Sequence, residues 1–540
     1  MLIIETTYNA QEKLWHGEDM EDIYDADQTI GELVFNALKE NPTNVCQVCD
    51  STSYIYLGRY CGQTLAMCIR LAQHFRDAGL THEHIVGIVS SNNIHDTHVM
   101  FACLFNATPF HAVSPHQAPD VIAALFAITR PRLIFCDGND YELIKAATRD
   151  WQPTICTLIN HIAEVPKIED HLKPTTSESA FAPRKLVLGA NQTMGIICTS
   201  GTTGLPKAVT LSNAQLVLIG NTVGTREIIF SNAAIDWISG IKVVLTATVN
   251  GATRIVSNRT FSAERLVEIV RQHQVTACHL TYDQMSQVFN SALATTEHLC
   301  SLQAITYGGG WVPAKLVRAA QRVLEHTIFV CIYGTSETDI VAVALNPEVD
   351  NLVGKLVPGK SVRIVSEQGA YLGPKQIGEI VIQTNQAWSG YYGNAAQTAQ
   401  TRDSAGWFYM GDLGYFDDDN NLYVIDRKKD ALCYKGHRYT PNDIERIIVE
   451  LPQVQAVCVV GIRDELQNEA AGALVVKQPD TLLSEQQVVR HVARRVSVEH
   501  KQLHAGVLFV DKLPYNANGK LMRNAAKDLF YERRLPRASL

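Results

Sequence analysis

Apolar and polar residues recur along this chain with two different periods, and the changes of period divide it. From Ile30 to Val187, apolar runs of strand length such as Ile85 to Val89 and Leu133 to Cys136 alternate with helical spacing in Thr64 to Gly79 and Pro119 to Thr129. That alternation predicts β-α-β units around a largely parallel sheet. A further apolar run, Met194 to Cys198, leads into a stretch rich in hydroxyls and glycine. Beyond it Ser212 and Gln215 have the spacing of a capping box, so the stretch is expected at a strand-to-helix turn. A second set of units follows, with strands expected at Lys242 to Val244, Ala252 to Val256, Ala277 to Leu280, Ala304 to Tyr307 and Ile328 to Ile332.

Between Gly354 and Gly414 glycine turns become dense around short strands, Ser361 to Val365 and Glu379 to Ile382, which predicts a small, all-β, barrel-like subdomain. After Asp426 the pattern turns to α+β. Thr440 and Pro441 open a helix to Leu451, Val457 to Ile462 reads as a strand, and Glu485 to Val496 as an amphipathic helix. The expected architecture is therefore α/β. Residues 1–426 hold two β-α-β sheet subdomains and the small β subdomain, and residues 427–540 form a separate α+β domain. At 540 residues the chain is too long for one core.

Composition narrows the function classes. The net charge of −8 argues against nucleic acid as a partner. Residues 427–540 carry 19 Lys and Arg against 13 Asp and Glu, leaving −14 for the remainder, an asymmetry that suits either differing solvated surfaces or a shared polyanionic ligand. The 13 cysteines are scattered, and Cys46 and Cys49 make a lone C-x-x-C with no second pair, which points to reduced thiols. No apolar run reaches the ~18 residues of a membrane span. The N-terminus lacks the basic start and apolar stretch of a secretory signal, so an intracellular protein is expected.

Thr199 to Lys207, TSGTTGLPK, is the first stretch with chemistry. Six consecutive hydroxyl or glycine residues leave backbone N–H groups free to converge on an anion, and Lys207 adds a mobile charge. Leu205 and Pro206 separate Gly204 from the lysine, so the loop is not of the G-x-x-x-x-G-K-[ST] type. Four more stretches follow: Tyr333 to Thr338 (YGTSET), Gly411 to Gly414 (GDLG) with Asp426 and Arg427 downstream, Cys433 to Arg438 (CYKGHR), and Asn518 to Lys520 (NGK). Singly, Tyr333 reads as a core aromatic, Asp412 as a turn residue and Lys520 as a solvated lysine. In this order and at these separations, over nearly the whole chain, they resemble the acyl-adenylate-forming superfamily of acyl-CoA synthetases, 4-coumarate-CoA ligases, beetle luciferases and peptide-synthetase adenylation domains.

The resemblance implies a role for each residue. Thr199, Ser200, Gly201, Thr202, Thr203, Gly204 and Lys207 would hold the β- and γ-phosphates of ATP. Tyr333 would stack on adenine, with Gly308, Gly309 and Gly310 letting the base lie close and Gly334 beside it. Ser336 would meet the α-phosphate, Glu337 would bind Mg²⁺, and Asp412 would accept from the ribose hydroxyls with Arg427 alongside. Lys520 would approach the α-phosphate as a carboxylate attacks, which makes Lys520, Lys207 and Glu337 the catalytic set. Trp237, Gly308 and Ile340 fall in the acyl pocket. Asp426 matches the hinge about which a mobile C-terminal domain rotates to present Lys435 and Gly436 for thioester formation with coenzyme A.

The implied activity is that of an acid-thiol ligase acting on a hydrophobic carboxylate with ATP, Mg²⁺ and coenzyme A. The chain ends twenty residues after Lys520, whereas a fused carrier domain needs at least ~50 residues, so a free thiol acceptor is expected. Three departures keep other readings open. Trp237 stands where many relatives have histidine, though short-chain acyl-CoA synthetases have a comparable tryptophan, and Cys433 stands where many have lysine. Both would suit a homologue impaired in the thioester step. Ile340 replaces a luciferase-type serine, which disfavours a luciferase-type monooxygenase. The last residues, Ala538, Ser539 and Leu540, share their ends with the peroxisomal address S-K-L but lack its basic centre, so the peroxisomal matrix stands beside the cytoplasm as a location.

Overall fold

The computed structural model describes residues 4–19, 28–50, 57–175, 177–199, 207–220, 223–463, 469–516 and 520–534. One sheet has six strands in the order Lys207–Ser212, Thr193–Thr199, Phe110–Val113, Val86–Val89, Leu133–Asp137 and Thr154–Ile159. All neighbours are parallel except the edge pair. Phe110–Val113 and Val86–Val89 are buried at every position, which is why such strands read as unbroken apolar runs. The helix Pro119–Thr129 spans the predicted residues, with proline in its first turn and left-handed Arg130 closing it.

The second sheet has a parallel centre made of Ile328–Thr335, Ala304–Gly308, Ala277–Leu280, Ile228–Ser231, Thr253–Val256 and Val45–Cys49. At one edge the antiparallel strand Asp339–Leu345 passes pairing on to Leu352–Leu356 and then to Leu422–Arg427, Phe408–Phe416, Gly378–Thr384 and Lys360–Val365. The small β subdomain is thus hydrogen-bonded into the second sheet. That continuity carries the Gly411 to Gly414 stretch to the end of the strand that holds Tyr333.

Two local expectations fail. Lys242 to Val244 lies inside the helix Ile238–Val249, not in a strand. A short apolar run with β-branched residues cannot be told from a buried helix by period alone, and here Ile241, Val244, Leu245 and Thr248 are buried at helical spacing. The phosphate-type loop does not run from strand to helix either. The chain doubles back as the antiparallel strand Lys207–Ser212, pairing Lys207 with Thr199, before the helical turn Asn213–Leu216 begins. The capping box of Ser212 and Gln215 does form.

After Arg427 the chain builds a hairpin, Leu432–Tyr434 with His437–Tyr439, and a three-stranded sheet of Val454–Arg463, Glu469–Lys477 and Gly506–Phe509. Helices Pro441–Ile448, Glu485–Arg495 and Arg523–Arg534 pack on it around apolar clusters of their own. The helix from Pro441 stops three residues before the expected Leu451. Lys315 Nζ donates to the carbonyls of Val449 and Leu451 at that helix's C-terminal end, and Trp311 packs against the same cluster. These contacts seat the C-terminal part against the rest. Among the described residues no helix is long and apolar enough to cross a membrane.

Candidate active site

Sheet continuity brings three predicted residues together. Tyr333 lies near the end of Ile328–Thr335, Asp412 in Phe408–Phe416, and Arg427 opposite Asp412 in Leu422–Arg427. Arg427 Nε sits 2.6 Å from Asp412 Oδ1, and the Tyr333 hydroxyl donates to Oδ2 at 2.7 Å. Asp412 is 4% exposed. Its charge raises the Arg427 pKa, and burial together with Asp412 raises that of Tyr333. Both carboxylate oxygens are thereby aimed by fixed partners.

The register that pairs Gly308 with Ile332 sets Gly309 alongside Tyr333. A Cβ at Gly308 would lie 2.5 Å from the Ile332 carbonyl oxygen, so only glycine fits there. Gly309, at φ +81°, and Gly310 face open space instead. A flat ring can approach the backbone at this point. Gly334 pairs with Ile340 across the following turn.

Glu337 is buried, and its Oε1 accepts a 2.7 Å hydrogen bond from the Tyr391 hydroxyl. Lys207 Nζ lies 4.7 Å over the Tyr391 ring; burial lowers the Lys207 pKa and Glu337 partly offsets that. Tyr391 therefore links two predicted site residues, yet no motif names it. Gln215 Nε2 holds the Glu337 carbonyl at 3.1 Å, and Ser336 beside it is buried. Among the described residues no cluster of three or more His, Cys, Asp or Glu is placed to hold a metal. One carboxylate fits Mg²⁺, which takes one or two and completes its shell with phosphate oxygens and water. Thr199 is described as the end of its strand, but Ser200, Gly201, Thr202, Thr203 and Gly204 lie outside the described residues, as do Asn518, Gly519 and Ala538 to Leu540.

Lys520 reaches this site from the far end of the chain. Its N–H donates to Asn516 Oδ1 at 2.8 Å, and burial lowers its pKa to about 8, with Arg427 adding to the shift and Asp412 opposing it. Lys435 and Gly436 are not brought there. They form the exposed two-residue turn of the Leu432–Tyr434 hairpin, at φ +50° and +79°, with Lys435 Nζ 2.5 Å from Glu499. Cys433 is exposed on the same hairpin. Asp426, whose carboxyl is pushed up to about 6 by burial, accepts from the N–H groups of Arg427 and Asn442, the latter in the first turn of Pro441–Ile448.

Trp237 is half-buried and immediately precedes the helix Ile238–Val249. Its neighbour Asp236, which no motif singles out, is 6% exposed, and burial pushes its carboxyl up to about 6 against its own backbone N–H and His116. A carboxyl whose folded pKa lies above its unfolded value lends stability at low pH that is lost as pH rises through about 6. Asp236→Asn is therefore expected to stabilise the protein near neutrality, by up to ~3 kcal/mol, and little at acid pH. Thermal unfolding of both proteins at pH 4.5 and 7.5 checks this, and a Tm difference that does not change with pH contradicts it.

Comparison with known proteins identifies the family. The model described as AMP-binding enzyme matches residues 42–392, and that described as AMP-binding enzyme C-terminal domain matches residues 443–520. A luciferin 4-monooxygenase of Photuris pensylvanica is 26% identical over 525 residues, covering 94% of this chain and 96% of its own. 4-Coumarate–CoA ligase 1 of Arabidopsis thaliana is 25% identical over 524 residues, covering 93% and 92%. The crystal structure of ATP-bound MatB from Rhodopseudomonas palustris shares the fold, with a TM-score of 0.83 at 20% identity over 94% of this chain and 99% of that one. With the first model matching well over half of its length and the second following in order, the chain belongs to the AMP-binding enzymes of the adenylate-forming superfamily.

Proposed function

We propose that this protein is an ATP-dependent acid-thiol ligase that joins a hydrophobic carboxylate, a fatty acid first among candidates, to coenzyme A. The observation that carries the reading is the burial of Lys520 within electrostatic reach of Arg427 and of Asp412, the carboxylate that Tyr333 holds, because a cation delivered to a nucleotide-type cradle is what attack of one anion on another requires. In the first step a carboxylate oxygen bonds to the α-phosphorus of ATP and the bond to pyrophosphate breaks. In the second the coenzyme A sulfur bonds to the acyl carbon, AMP leaves, and the thiol proton passes to solvent.

Within this reading Tyr333 and the Gly309–Gly310 backbone cover the base, Asp412 accepts from the ribose, Lys207 with Thr199 to Gly204 holds the outer phosphates, and Ser336 faces the α-phosphate. Mg²⁺ at Glu337 would supply charge neutralisation on the phosphates. Tyr391 aims the Glu337 carboxylate and keeps Lys207 over its ring. Trp237, Gly308 and Ile340 border the acid. Asp426 serves as hinge, and rotation about it exchanges Lys520 for the Lys435–Gly436 turn.

The test is acid-dependent exchange of labelled pyrophosphate into ATP, from acetate to long-chain and aromatic acids, followed by coenzyme A. Exchange with apolar acids and formation of acyl-CoA are expected. Measurable ATP binding with no exchange for any acid overturns the reading.

A further inference from the structure

Three charged side chains that the chemistry above does not use lie together under the Ser336 to Asp339 turn. Lys242 Nζ is 2.7 Å from Asp339 Oδ2 and donates to the carbonyls of Gln215 at 2.7 Å and Leu218 at 3.1 Å. Its three protons are then all engaged, which leaves none for a substrate. Lys360, 2% exposed, donates to the Thr338 carbonyl at 2.6 Å and to Thr384 Oγ1 at 2.9 Å. Asp339 holds a left-handed backbone at φ +58°, a conformation that most side chains avoid and that aspartate adopts more readily than they do. Burial drops the Lys360 pKa to about 8, and Asp339 works against the drop.

Buried ions of this kind add little stability over apolar packing of the same volume, so their use has to be sought in geometry. Each member sits at a different part of the site. Lys242 belongs to the helix that begins after Trp237. Asp339 immediately precedes Ile340 and follows Glu337 by two residues. Lys360 begins the strand Lys360–Val365 and grips the residue between Glu337 and Asp339 through its carbonyl.

We propose that Lys242, Asp339 and Lys360 form a positioning unit that sets the acid subsite and the Glu337 carboxylate relative to one another. Lys242 serves the acid side, Lys360 the nucleotide side, and Asp339 both. The inference rests on the ligase reading for what the two sides bind.

The unit predicts a split in kinetic constants that a merely structural role does not produce. In the full-length protein, Lys242→Met should raise KM for the acid about tenfold with KM for MgATP within about twofold, and Lys360→Met should do the reverse. Asp339→Asn should raise both. Lys242→Met combined with Asp339→Asn should be no worse toward the acid than Asp339→Asn alone, because the two act as one. Asp339→Glu keeps the charge and moves it by one methylene, so it supplies the same comparison if the neutral variant does not fold. Folded variants with lowered Tm and unchanged KM values, or with both constants shifted equally by either lysine, overturn the proposal. If the wild type exchanges with no acid, the ligase reading falls separately. Calorimetry of MgATP binding then decides the unit: weakening by Lys360→Met but not by Lys242→Met supports it, and equal effects refute it.

Discussion

Lys520→Ala is expected to lower acid-dependent pyrophosphate exchange by about 10²–10³ while leaving thioester formation from supplied acyl-adenylate within a few-fold. The expectation follows from where the ammonium sits. It feels both Arg427 and Asp412, and burial there lowers its pKa to about 8. In the proposed adenylation step, charge that develops on the α-phosphate and bridging oxygen would be stabilised only while the lysine is protonated. Wild-type exchange should therefore fall as pH rises through about 8, and the variant should lose that limb of the profile. On the proposed hinge motion, thioester formation would use the other arrangement of the C-terminal part, with the Lys435–Gly436 turn in place of Lys520. Equal loss in both half-reactions would remove Lys520 from the adenylation step.

Much of this site was legible because its parts are local. Tyr333 to Thr338 and Gly411 to Gly414 each carry a strand segment or turn in a few residues, and the capping box of Ser212 and Gln215 is contained in four. What escaped is made by pairing at a distance. Tyr391 meets Glu337 across 54 residues, and Lys242 meets Asp339 across nearly a hundred, with no spacing rule to join them. Lys242 was hidden twice, since its run was read as a strand and only the helix turns it toward Asp339. The return strand after the phosphate-type loop was missed because Lys207 to Ser212 alternates too little, with Ala208 to Ser212 all buried. Strands buried on both faces lose the period that marks them.

Asp412→Asn is the second large effect, and it separates binding from folding. Two charge-assisted hydrogen bonds to ribose hydroxyls at ~1.5–3 kcal/mol each place the loss of AMP or ATP affinity at about 10² or more. The same change removes the carboxylate 2.6 Å from Arg427, whose side chain is 32% exposed. Solvent reaches that guanidinium, so the stability lost stays below the ~3–5 kcal/mol of a fully buried broken pair and is set at about 1–2 kcal/mol. Adding Arg427→Met removes the stranded charge and should return most of the Tm. It should not return nucleotide affinity, because the amide offers the ribose one neutral acceptor and a donor where the carboxylate offered two charged acceptors. Calorimetric titration of AMP into the single and double variants reads the difference. Affinity that recovers in step with Tm would make Asp412 a structural partner of Arg427 and Tyr333. Affinity that stays low in a restabilised protein assigns the carboxylate to the nucleotide.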